Sequence, residues 1–539
     1  MHDKPYKTLR SNVFNRIDLE ELNINYTGQV ISKSILHATS EIYITEYYTY
    51  TYDNAGRLKE TKHRINTGNE VTLTNNSYNE IGQLSSRTYG NGLETQTFDY
   101  NIRGWLTESE NELFSENLYY EKTANNNNGY YNGNISQSSF KYLTGNIHES
   151  GWRGNTNEWK ENWETLDYTY DNLNRLTLAA SNNVDRLSEQ LSYDKHGNIK
   201  SLKRGGIVEH SWLDNGTTPN HVVGIIDSLG YNYNGNQLND IVDNSNADAY
   251  YLGSQDLKQS SVSAPHCYFD NNGNMTTDLN KGIATISYNS LNLPDTVQMR
   301  DGNMVTYVHD ASGLKDQVVR HTIATSGVTI PIGRTLRNCG TLYSVSSYSY
   351  TQYAGNAVYD NSKISRILLP DGILVRTNAL TSSPPVFSYH YYLKDHLGNI
   401  RAVFEDDGEG GIVNQVSNYY PFGMEYGESA EDQTEVTYQN YLFGGKEFDR
   451  KYELNLSDFG ARSYDATSGR WLTMDPLAEK YYSISPYAYC GNNPILLIDP
   501  EGLEWFYYAD NAKSEPYYHW RDEQVYHTGK YENGKEITI

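Results

Sequence analysis

The stretch from Phe443 to Leu503 reads FGGKEFDRKYELNLSDFGARSYDATSGRWLTMDPLAEKYYSISPYAYCGNNPILLIDPEGL, and it decides the fold of the chain. Glycine, asparagine and aspartate recur every few positions along it, and each is a natural turn former. Aromatic and aliphatic residues fill the gaps. Because a chain interrupted so often cannot form long helices, the stretch predicts short strands and tight turns, with one helical turn starting at Asp475-Pro476.

Upstream of this stretch, a unit that begins with tyrosine recurs. Its clearest copies are YDNAGRL from Tyr52, YNEIGQL from Tyr78, YNIRGWL from Tyr100 and YDNLNRL from Tyr170, and further copies begin at Tyr193, Tyr233, Phe269 and Tyr288, the last two more degenerate. The tyrosine ends a strand, Asp or Asn with the following Gly or Asn supplies a positive-φ turn, and the next residues start the return strand. Each copy therefore predicts one β-hairpin, and a spacing of about twenty residues is typical of repeat proteins.

The hairpins predict a large all-β structure. A single hairpin is marginal in water, so the copies are expected to pair edge to edge, and the accumulated twist should coil the sheet into a tube or shell. The chain has 50 tyrosines against 12 phenylalanines and a mean hydropathy of −0.72. Tyrosine suits sheet faces that are only partly dry, which favours a thin-walled or hollow structure. One helical turn is expected near the start, at Leu19 to Leu22.

Charge and cysteine content exclude several classes of protein. A formal net charge of −24 argues against nucleic-acid binding, which needs clustered Lys and Arg. The three cysteines, Cys267, Cys339 and Cys490, form neither a disulfide framework nor a metal-ligand spacing. No apolar run predicts a secretory signal or a membrane helix. The chain is therefore expected to use another export route, or to be the C-terminal part of a longer protein.

The motifs also carry a family resemblance. LSDFGARSYDATSGRWLTMDP followed by SPYAYCGNNPILLIDPEGL resembles the RHS repeat-associated core at the end of RHS and YD-repeat proteins, and YHYYLKDHLGNIRAVF, from Tyr389, resembles the entry into that core. The amino-acid sequence of the repeats looks most like that of RHS proteins of Bacteroidetes-type bacteria. The resemblance implies a spiralling β-sheet that encloses a cavity. We accordingly expect a YD-repeat β-shell over residues 1–388, the core over 389–503 and a short variable segment over 504–539.

The function that this resemblance implies is that of a bacterial polymorphic toxin. The shell would encapsulate and deliver a C-terminal toxin or effector segment in interbacterial competition, from a secreted or cell-surface location. Its expected partners are its own C-terminal segment as cargo, and a cognate immunity protein or a delivery apparatus. The alternative from another class is a surface adhesion or carbohydrate-binding scaffold, whose exposed tyrosines would stack on sugar rings.

The resemblance further implies a self-cleavage reaction. In some members of the family the core acts as an aspartyl-type autoprotease and cuts after the leucine of Asp-Pro-x-Gly-Leu, which here is the Leu503–Glu504 bond. Asp475 and Asp499 would be the two carboxylates, held in place by Arg470 or Arg462. Two acids close enough that only one ionises can polarise a carbonyl and activate water. Both Asp-Pro pairs also suit turns or helix N-caps, an alternative that sequence spacing leaves open.

Other candidate sites are weaker. Asp270, Asn272 and Asn274 suggest a calcium loop, but Met275 stands where glycine is needed and Lys281 where a bidentate glutamate is needed, so a turn is predicted. His390 and His396, in the core entry, are predicted to be hydrogen-bonded in turns. After Leu503, a weak nuclease pattern is formed by His519, Asp522, Glu523 and His527. The sequence predicts neither a metal nor a cofactor.

Overall fold

A computed structural model gives the fold of the chain. It describes residues 6–14, 16–39, 42–123, 129–142, 163–182, 187–212, 219–245, 247–249, 256–263, 265–325, 327–340, 344–380, 382–406, 410–426, 439–509, 517–520, 530–532 and 535–537. These residues form strands, turns and short 3₁₀ segments, and none of them lies in an α-helix. Within this described part, no helix has the length and apolar character needed to cross a membrane.

The first 17 strands form one sheet in which each strand pairs antiparallel with the next along the chain. They are β1 Tyr6–Ser11, β2 Ile17–Ile24, β3 Val30–Ala38, β4 Tyr43–Tyr52, β5 Leu58–Ile65, β6 Val71–Tyr78, β7 Leu84–Tyr89, β8 Glu94–Tyr100, β9 Leu106–Glu110, β10 Phe114–Tyr119, β11 Gln137–Tyr142, β12 Trp163–Tyr170, β13 Leu176–Ser181, β14 Glu189–Tyr193, β15 Ile199–Trp212, β16 Pro219–Asn234 and β17 Gln237–Asp243. The sheet is therefore a continuous meander of hairpins.

The next 13 strands form a second antiparallel meander. They are β18 Cys267–Phe269, β19 Met275–Asp278, β20 Ile283–Tyr288, β21 Pro294–Met299, β22 Met304–His309, β23 Lys315–Ile323, β24 Val345–Ala354, β25 Ala357–Asp360, β26 Lys363–Leu369, β27 Gly372–Arg376, β28 Phe387–Lys394, β29 Ile400–Asp406 and β30 Gly411–Val416. The predicted boundary between residues 388 and 389 falls inside β28, so the core entry continues this sheet.

The remaining strands are short. A four-stranded sheet contains β31 Glu447–Asp449, β32 Leu456–Asp458, β33 Ser463–Asp465 and β34 Arg470–Trp471, a three-stranded sheet contains β35 Leu497–Ile498, β36 Phe506–Ala509 and β37 Tyr517–Trp520, and a hairpin contains β38 Lys530–Glu532 and β39 Lys535–Ile537. The 3₁₀ segments are Gly90–Gly92, Phe443–Gly445, Lys451–Glu453, Ala478–Lys480 and Cys490–Asn492. We call residues 443–505 the plug. The all-β fold predicted from the repeats is confirmed.

The repeat turns owe their shape to the Asx residue after each tyrosine. In the copy from Tyr52, Asp53 Oδ1 accepts hydrogen bonds from the backbone N–H groups of Ala55 and Arg57, both at 2.9 Å. Gly56 then adopts a φ of 81°, which glycine reaches without strain. Asparagine replaces this glycine at Asn174, with a φ of 60°. The predicted turn chemistry is therefore confirmed, and it explains why Asp and Asn alternate at the second position.

The tyrosine hydroxyls link successive hairpins. Tyr78 donates to the carbonyl oxygen of Leu58 at 2.6 Å, and Tyr193 donates in the same way to Leu176 at 2.6 Å. Each acceptor is the first residue of the return strand one repeat earlier. Five further tyrosines make the equivalent bond at 2.6–2.9 Å, namely Tyr52, Tyr120, Tyr233, Tyr288 and Tyr419. Tyr170 donates at 2.8 Å to the carbonyl of Ile135, two residues before β11. Phenylalanine would fill the same space without satisfying the carbonyl, which accounts for tyrosine at these positions of the repeat.

We expect Tyr193→Phe to lower the free energy of unfolding by about 1–2 kcal/mol, because it removes one hydrogen bond and leaves the carbonyl of Leu176 without its donor. Chemical denaturation followed by tyrosine and tryptophan fluorescence measures the change. Tyr26→Phe is the matched control, since Tyr26 is 95% exposed. Equal stabilities of the two variants would contradict a structural role for the repeat hydroxyls.

The two large sheets face one another. Tyr389 on β28 lies with its hydroxyl 2.9 Å from His63 Nδ1 on β5, and Asn356 donates to Glu46 Oε1 at 3.0 Å. Glu46 is fully buried, and although burial opposes its ionisation, hydrogen bonds from His37 and His63 lower the pKa of Glu46 to about 2. A carboxylate that stays ionised between the sheets thus joins β3, β4 and β5 to the opposite wall.

The plug fills the space between these walls. Arg204 on β15 donates to the carbonyls of Ala466 and Thr467, and Tyr487 donates to the carbonyl of Gly273 at 2.7 Å. Residues of both large sheets and of the plug belong to one hydrophobic core. A cavity of about 1320 Å³ remains between the second sheet and the plug, with Arg300 and Asp449 among its lining residues. The plug therefore packs against both large sheets.

Two features near the hairpins differ from the sequence prediction. Residues Leu19 to Leu22 lie in β2 and not in a helical turn, because backbone pairing with β1 and β3 on both sides outweighs helix propensity. Two additional repeat turns also occur. Asn25 Oδ1 accepts from the N–H groups of Thr27 and Gln29, and Asp310 Oδ1 accepts from those of Ser312 and Leu314. Both turns lack the leading tyrosine, so the sequence pattern missed them.

Candidate functional site

The candidate site is organised around one buried arginine. Arg462 precedes β33, after a turn in which Gly460 has a φ of 92°. Its side chain is 1% exposed, and its guanidinium lies 4.2 Å from the ring centroid of Trp471. An arginine held against an aromatic face and removed from water requires anionic partners.

Those partners are the two aspartates that the sequence singled out. Arg462 Nη2 lies 3.0 Å from Asp475 Oδ2 and 3.0 Å from Asp499 Oδ2. The two carboxylate oxygens are therefore separated by no more than about twice that distance. Asp475 is 6% exposed and Asp499 2% exposed. Residues 24 positions apart in the sequence thus share one cation in the interior of the plug.

The turn that follows β34 fixes Asp475. Its N–H donates to the carbonyl of Pro486 at 2.9 Å, and its Oδ1 accepts from the N–H of Leu477 at 2.7 Å. The N–H of Ala478 donates to the carbonyl of Asp475 at 3.1 Å and closes a turn, and the 3₁₀ segment Ala478–Lys480 follows, so the helical turn predicted to start at Asp475-Pro476 begins at Ala478. Asp475 therefore caps this turn with one oxygen and meets Arg462 with the other.

The Asp-Pro-Glu-Gly-Leu loop folds back on Asp499. Asp499 Oδ1 accepts from the N–H of Leu503 at 2.9 Å, and Arg462 Nε donates to the carbonyl of Gly502 at 2.5 Å. Gly502 has a φ of 71°, and a Cβ there would lie 3.1 Å from the backbone nitrogen of Arg462. Glycine is thus required for the close approach that places residue 503 beside the acids.

Burial raises the pKa values of both acids. Burial is the largest influence on Asp499, and with the charge of Asp475 it raises the pKa of Asp499 to about 6 against the opposing effect of Arg462. Burial likewise raises the pKa of Asp475 above its ordinary value. Because one arginine faces two carboxylates, the group holds a proton at a higher pH than an isolated aspartate would.

The bond between Leu503 and Glu504 lies between two anchored segments. On its C-terminal side, Glu504 contacts Lys480, and Trp505 stacks on Tyr481 with ring centroids 3.9 Å apart. Strand β36 then pairs with β35. No sequence pattern had indicated Lys480 or Tyr481, because their role depends on how the chain folds back after the turn at Asp475.

A smaller cavity reaches Asp499. It measures about 310 Å³ and is lined by Asp499 and Pro500 together with Gly444, Phe459 and Tyr489. A space of this size holds several water molecules beside a carboxylate whose pKa is raised. Asp475 and Asp499 thus share Arg462, Asp499 also holds the N–H of Leu503, and the cavity lies on the Asp499 side of this group.

Arg470 lies elsewhere. Its Nη1 donates to the hydroxyl of Tyr233 at 2.6 Å, and its Nη2 donates to the carbonyl of Asn236 at 2.9 Å. The side chain therefore joins the plug to the first sheet and does not bridge the two aspartates. Of the two arginines that the sequence offered, Arg462 occupies the position between them, and the choice depended on tertiary contacts that spacing does not encode.

The weaker candidates have structural roles. Asp270 Oδ1 accepts from the N–H groups of Asn272 and Asn274, as the turn prediction requires. His396 lies in a turn and contacts Glu116 Oε1 at 2.8 Å, and although burial opposes protonation, Glu116 raises the pKa of His396 to about 9. His390 lies in strand β28 and not in a turn. The side chains of His519, Asp522, Glu523 and His527 lie outside the described residues.

Comparisons with known proteins give partial matches. No family model matches the chain. It is 38% identical over 117 residues to Salivary gland surface protein 1 of Aedes aegypti, covering 21% of this chain and 3% of that protein. It is 35% identical over 104 residues to Toxin subunit YenC2 of Yersinia entomophaga, covering 19% of this chain and 10% of that protein. The chain thus spans a small part of the length of these relatives.

Solved structures share the fold. The crystal structure of TcdB2-TccC3-TEV matches with a TM-score of 0.54 at 16% identity, over 90% of this chain and 24% of that one. TcdB2-TccC3 without its hypervariable C-terminal region matches with a TM-score of 0.53 at 15% identity, over 90% and 24%. The described architecture is therefore that of the TcdB2-TccC3 chain over about a quarter of its length.

Proposed function

We propose that this chain is a β-shell that encloses and delivers its own C-terminal segment, and that it cuts the segment free by hydrolysis of the Leu503–Glu504 bond. The observation that carries the proposal is the meeting of Asp475 and Asp499 on Arg462, with Asp499 hydrogen-bonded to the N–H of Leu503. The division of labour follows the resemblance to the RHS repeat-associated core. Residues 389–503 form the cutting core, and residues 504–539 form the cargo.

In this reaction the acid pair shares one proton. The protonated carboxyl donates to the carbonyl oxygen of Leu503, and the ionised one draws a proton from water, so that water attacks the carbonyl carbon. The C–N bond then breaks, and the new amine of Glu504 takes up the proton. Arg462 keeps the two acids in register without contributing a proton, because a guanidinium stays charged.

The cut segment would stay with the shell. The stack of Trp505 on Tyr481, the contact of Glu504 with Lys480 and the pairing of β36 with β35 all lie on the C-terminal side of the bond. None of these contacts depends on the peptide bond itself. Cleavage therefore unlinks the cargo and leaves it held by contacts that can be released one at a time.

The wider setting of the proposal is interbacterial competition by a secreted or surface-exposed toxin. It is supported by the similarity to a toxin subunit and by the fold shared with TcdB2-TccC3. A delivery apparatus would bring the shell to a target cell, and an immunity protein would neutralise the cargo in the producing cell. The alternative, a carbohydrate-binding adhesin, has less support, because the repeat tyrosines direct their hydroxyls to backbone carbonyls.

The mass of the chain after expression tests the cut. We expect the wild-type protein to separate under denaturing conditions into residues 1–503 and a fragment of 36 residues, 504–539, and to keep both under native conditions. Asp475→Asn and Asp499→Asn should each slow the cut by about 100-fold or more, because an amide provides neither a proton nor a base. Time-resolved intact mass spectrometry follows the reaction.

Two matched controls belong to this experiment. Asp465 is a buried aspartate of the same plug and pairs with Lys281 at 2.9 Å. Asp465→Asn should leave the rate of self-cleavage unchanged. Arg462→Lys should slow the cut, whereas Arg470→Lys should not. Full-length wild-type chain without any cleavage would refute the autoprotease, and binding to a glycan array by that uncut chain would favour the adhesin.

A further inference from the structure

Three aspartates meet where the first sheet adjoins the plug. Asp227 lies on β16, Asp243 ends β17, and Asp256 lies in the connection to the second sheet. Each offers one carboxylate oxygen, and the three oxygens lie within 4.8 Å of one another. Asp227 is fully buried, and the other two are half-buried. The site is separate from Asp475 and Asp499, and self-cleavage makes no use of it.

The charges around these aspartates do not balance. Asp227 Oδ2 accepts from Arg204 at 3.0 Å, but Arg204 also pairs with Glu189 at 2.8 Å. One guanidinium therefore pairs with two carboxylates, and the carboxylates of Asp243 and Asp256 lie beside that of Asp227. The arrangement needs additional positive charge when all of these groups are ionised.

The hydrogen bonds around these aspartates also indicate a missing positively charged partner. Asp227 Oδ1 and Asp256 Oδ1 are buried, and neither accepts a hydrogen bond from a donor group of the described residues, although the two carboxyls can hydrogen-bond to each other when one of them is protonated. By contrast, Asp243 Oδ1 accepts from the N–H groups of Ser228 and Ser245, and its Oδ2 accepts from the hydroxyl of Ser245. A buried carboxylate oxygen without a donor is rare, and a metal ion is one of the partners that satisfies it. The unsatisfied oxygen of Asp227 thus belongs to the same three-aspartate group.

We infer that Asp227, Asp243 and Asp256 bind a hard divalent cation of the calcium class. Calcium binds carboxylate oxygens at about 2.3–2.6 Å, so ligands of one ion lie up to about 5 Å apart, which is the spacing found here. An all-oxygen anionic set selects such a cation over zinc or copper. Asp256 also lines the 1320 Å³ cavity, which gives an ion and its water ligands access from solvent.

A cation at this position would have a structural consequence. It would connect β16, β17 and the segment that leads to the second sheet. The cation would also neutralise part of the negative charge beside Arg204. Arg204 holds the plug by donating hydrogen bonds to the carbonyls of Ala466 and Thr467. Calcium would therefore strengthen the attachment of the plug to the wall.

Calcium-dependent stability of the full-length chain tests the inference. After removal of metal by a chelator, about 1 mM CaCl₂ at about pH 8 is expected to raise the melting temperature by about 3 °C or more, since a ligand that binds only the folded state stabilises it. Native mass spectrometry should show one calcium ion per chain. Asp256→Asn should abolish both effects.

The matched control is Asp301→Asn, which changes an exposed acid whose Oδ1 accepts from the N–H of Asn303 at 2.9 Å. Its response to calcium should equal that of the wild type. Wild-type protein with neither a calcium-dependent shift nor a bound ion would overturn the inference. An Asp256→Asn protein that binds calcium as the wild type does would overturn it as well, and neither readout depends on whether the chain cuts itself.

Discussion

Replacing Arg204 with alanine is expected to lower the free energy of unfolding by about 3–5 kcal/mol, the largest effect on stability that we predict for a single residue. The side chain is fully buried and carries four interactions. It donates to Glu189 Oε1 at 2.8 Å and to Asp227 Oδ2 at 3.0 Å, and its remaining donors bind two backbone carbonyls of the plug. Its loss leaves two buried carboxylates without a counter-ion.

The loss of stability arises from the two buried carboxylates, Glu189 and Asp227, that remain when the arginine is removed. A buried ion pair adds little when both partners are compared with apolar residues, but removing one partner exposes the other to the full desolvation penalty. Burial already raises the pKa of Glu189 while Arg204 is present. Without the guanidinium, the carboxyls must take up protons or the plug must separate from the wall. Either outcome lowers stability most at neutral and basic pH.

Guanidinium chloride denaturation, in chelator throughout, measures this effect. Arg57→Ala is the matched control, because Arg57 pairs with Asp53 in a hairpin turn and its side chain is 22% exposed. A partly exposed pair of this kind is expected to contribute about 1 kcal/mol or less. A loss for Arg204→Ala no greater than that for Arg57→Ala would show that the plug is held by other contacts.

The sequence predicted the fold because the repeat turn is local. In most copies the Asx residue accepts hydrogen bonds from the N–H groups two and four positions later, as Asp53 and Asp171 do, so one short motif specifies a hairpin turn. The role of tyrosine was only partly predictable. Its aromatic ring suggested a half-dry sheet face, but the acceptor of its hydroxyl lies one repeat away, as for Tyr193 and Leu176. Copies in which another residue replaces the tyrosine, such as that at Asp310, were missed for this reason.

The sequence identified the two acids of the candidate site, but it could not predict how the site is arranged in three dimensions. The resemblance pointed to Asp475 and Asp499, but both Arg462 and Arg470 lie within a few positions of β33 and β34, and only folding separates them. The aspartate group at Asp227 follows no spacing motif, so the sequence predicted no metal there. Contacts between strands distant in sequence, and the desolvation that accompanies them, determine both sites.

The rate of self-cleavage is expected to fall about tenfold for each pH unit above about 6. The reaction needs one protonated and one ionised carboxyl, and burial with the charge of Asp475 raises the pKa of Asp499 to about 6. Below this value the pair holds the proton that the carbonyl of Leu503 requires. Above it both acids ionise, so the fraction of competent enzyme decreases in proportion to the proton concentration. Between pH 6 and 8 the rate should therefore change by about 100-fold.

Refolding gives the starting point for this measurement. Chain recovered from inclusion bodies, which has not folded and is therefore uncut, is dissolved in denaturant and diluted into buffers of increasing pH. Intact mass spectrometry follows the appearance of residues 1–503, and fluorescence confirms that the chain has folded in each buffer. Arg462→Lys should change the rate of self-cleavage. The rate should still fall with increasing pH above the pKa that the Asp475 and Asp499 pair has in this variant, because a cation still faces the acids. A wild-type rate that stays constant from about pH 6 to 8 would mean that the proton shared by Asp475 and Asp499 is not the one used.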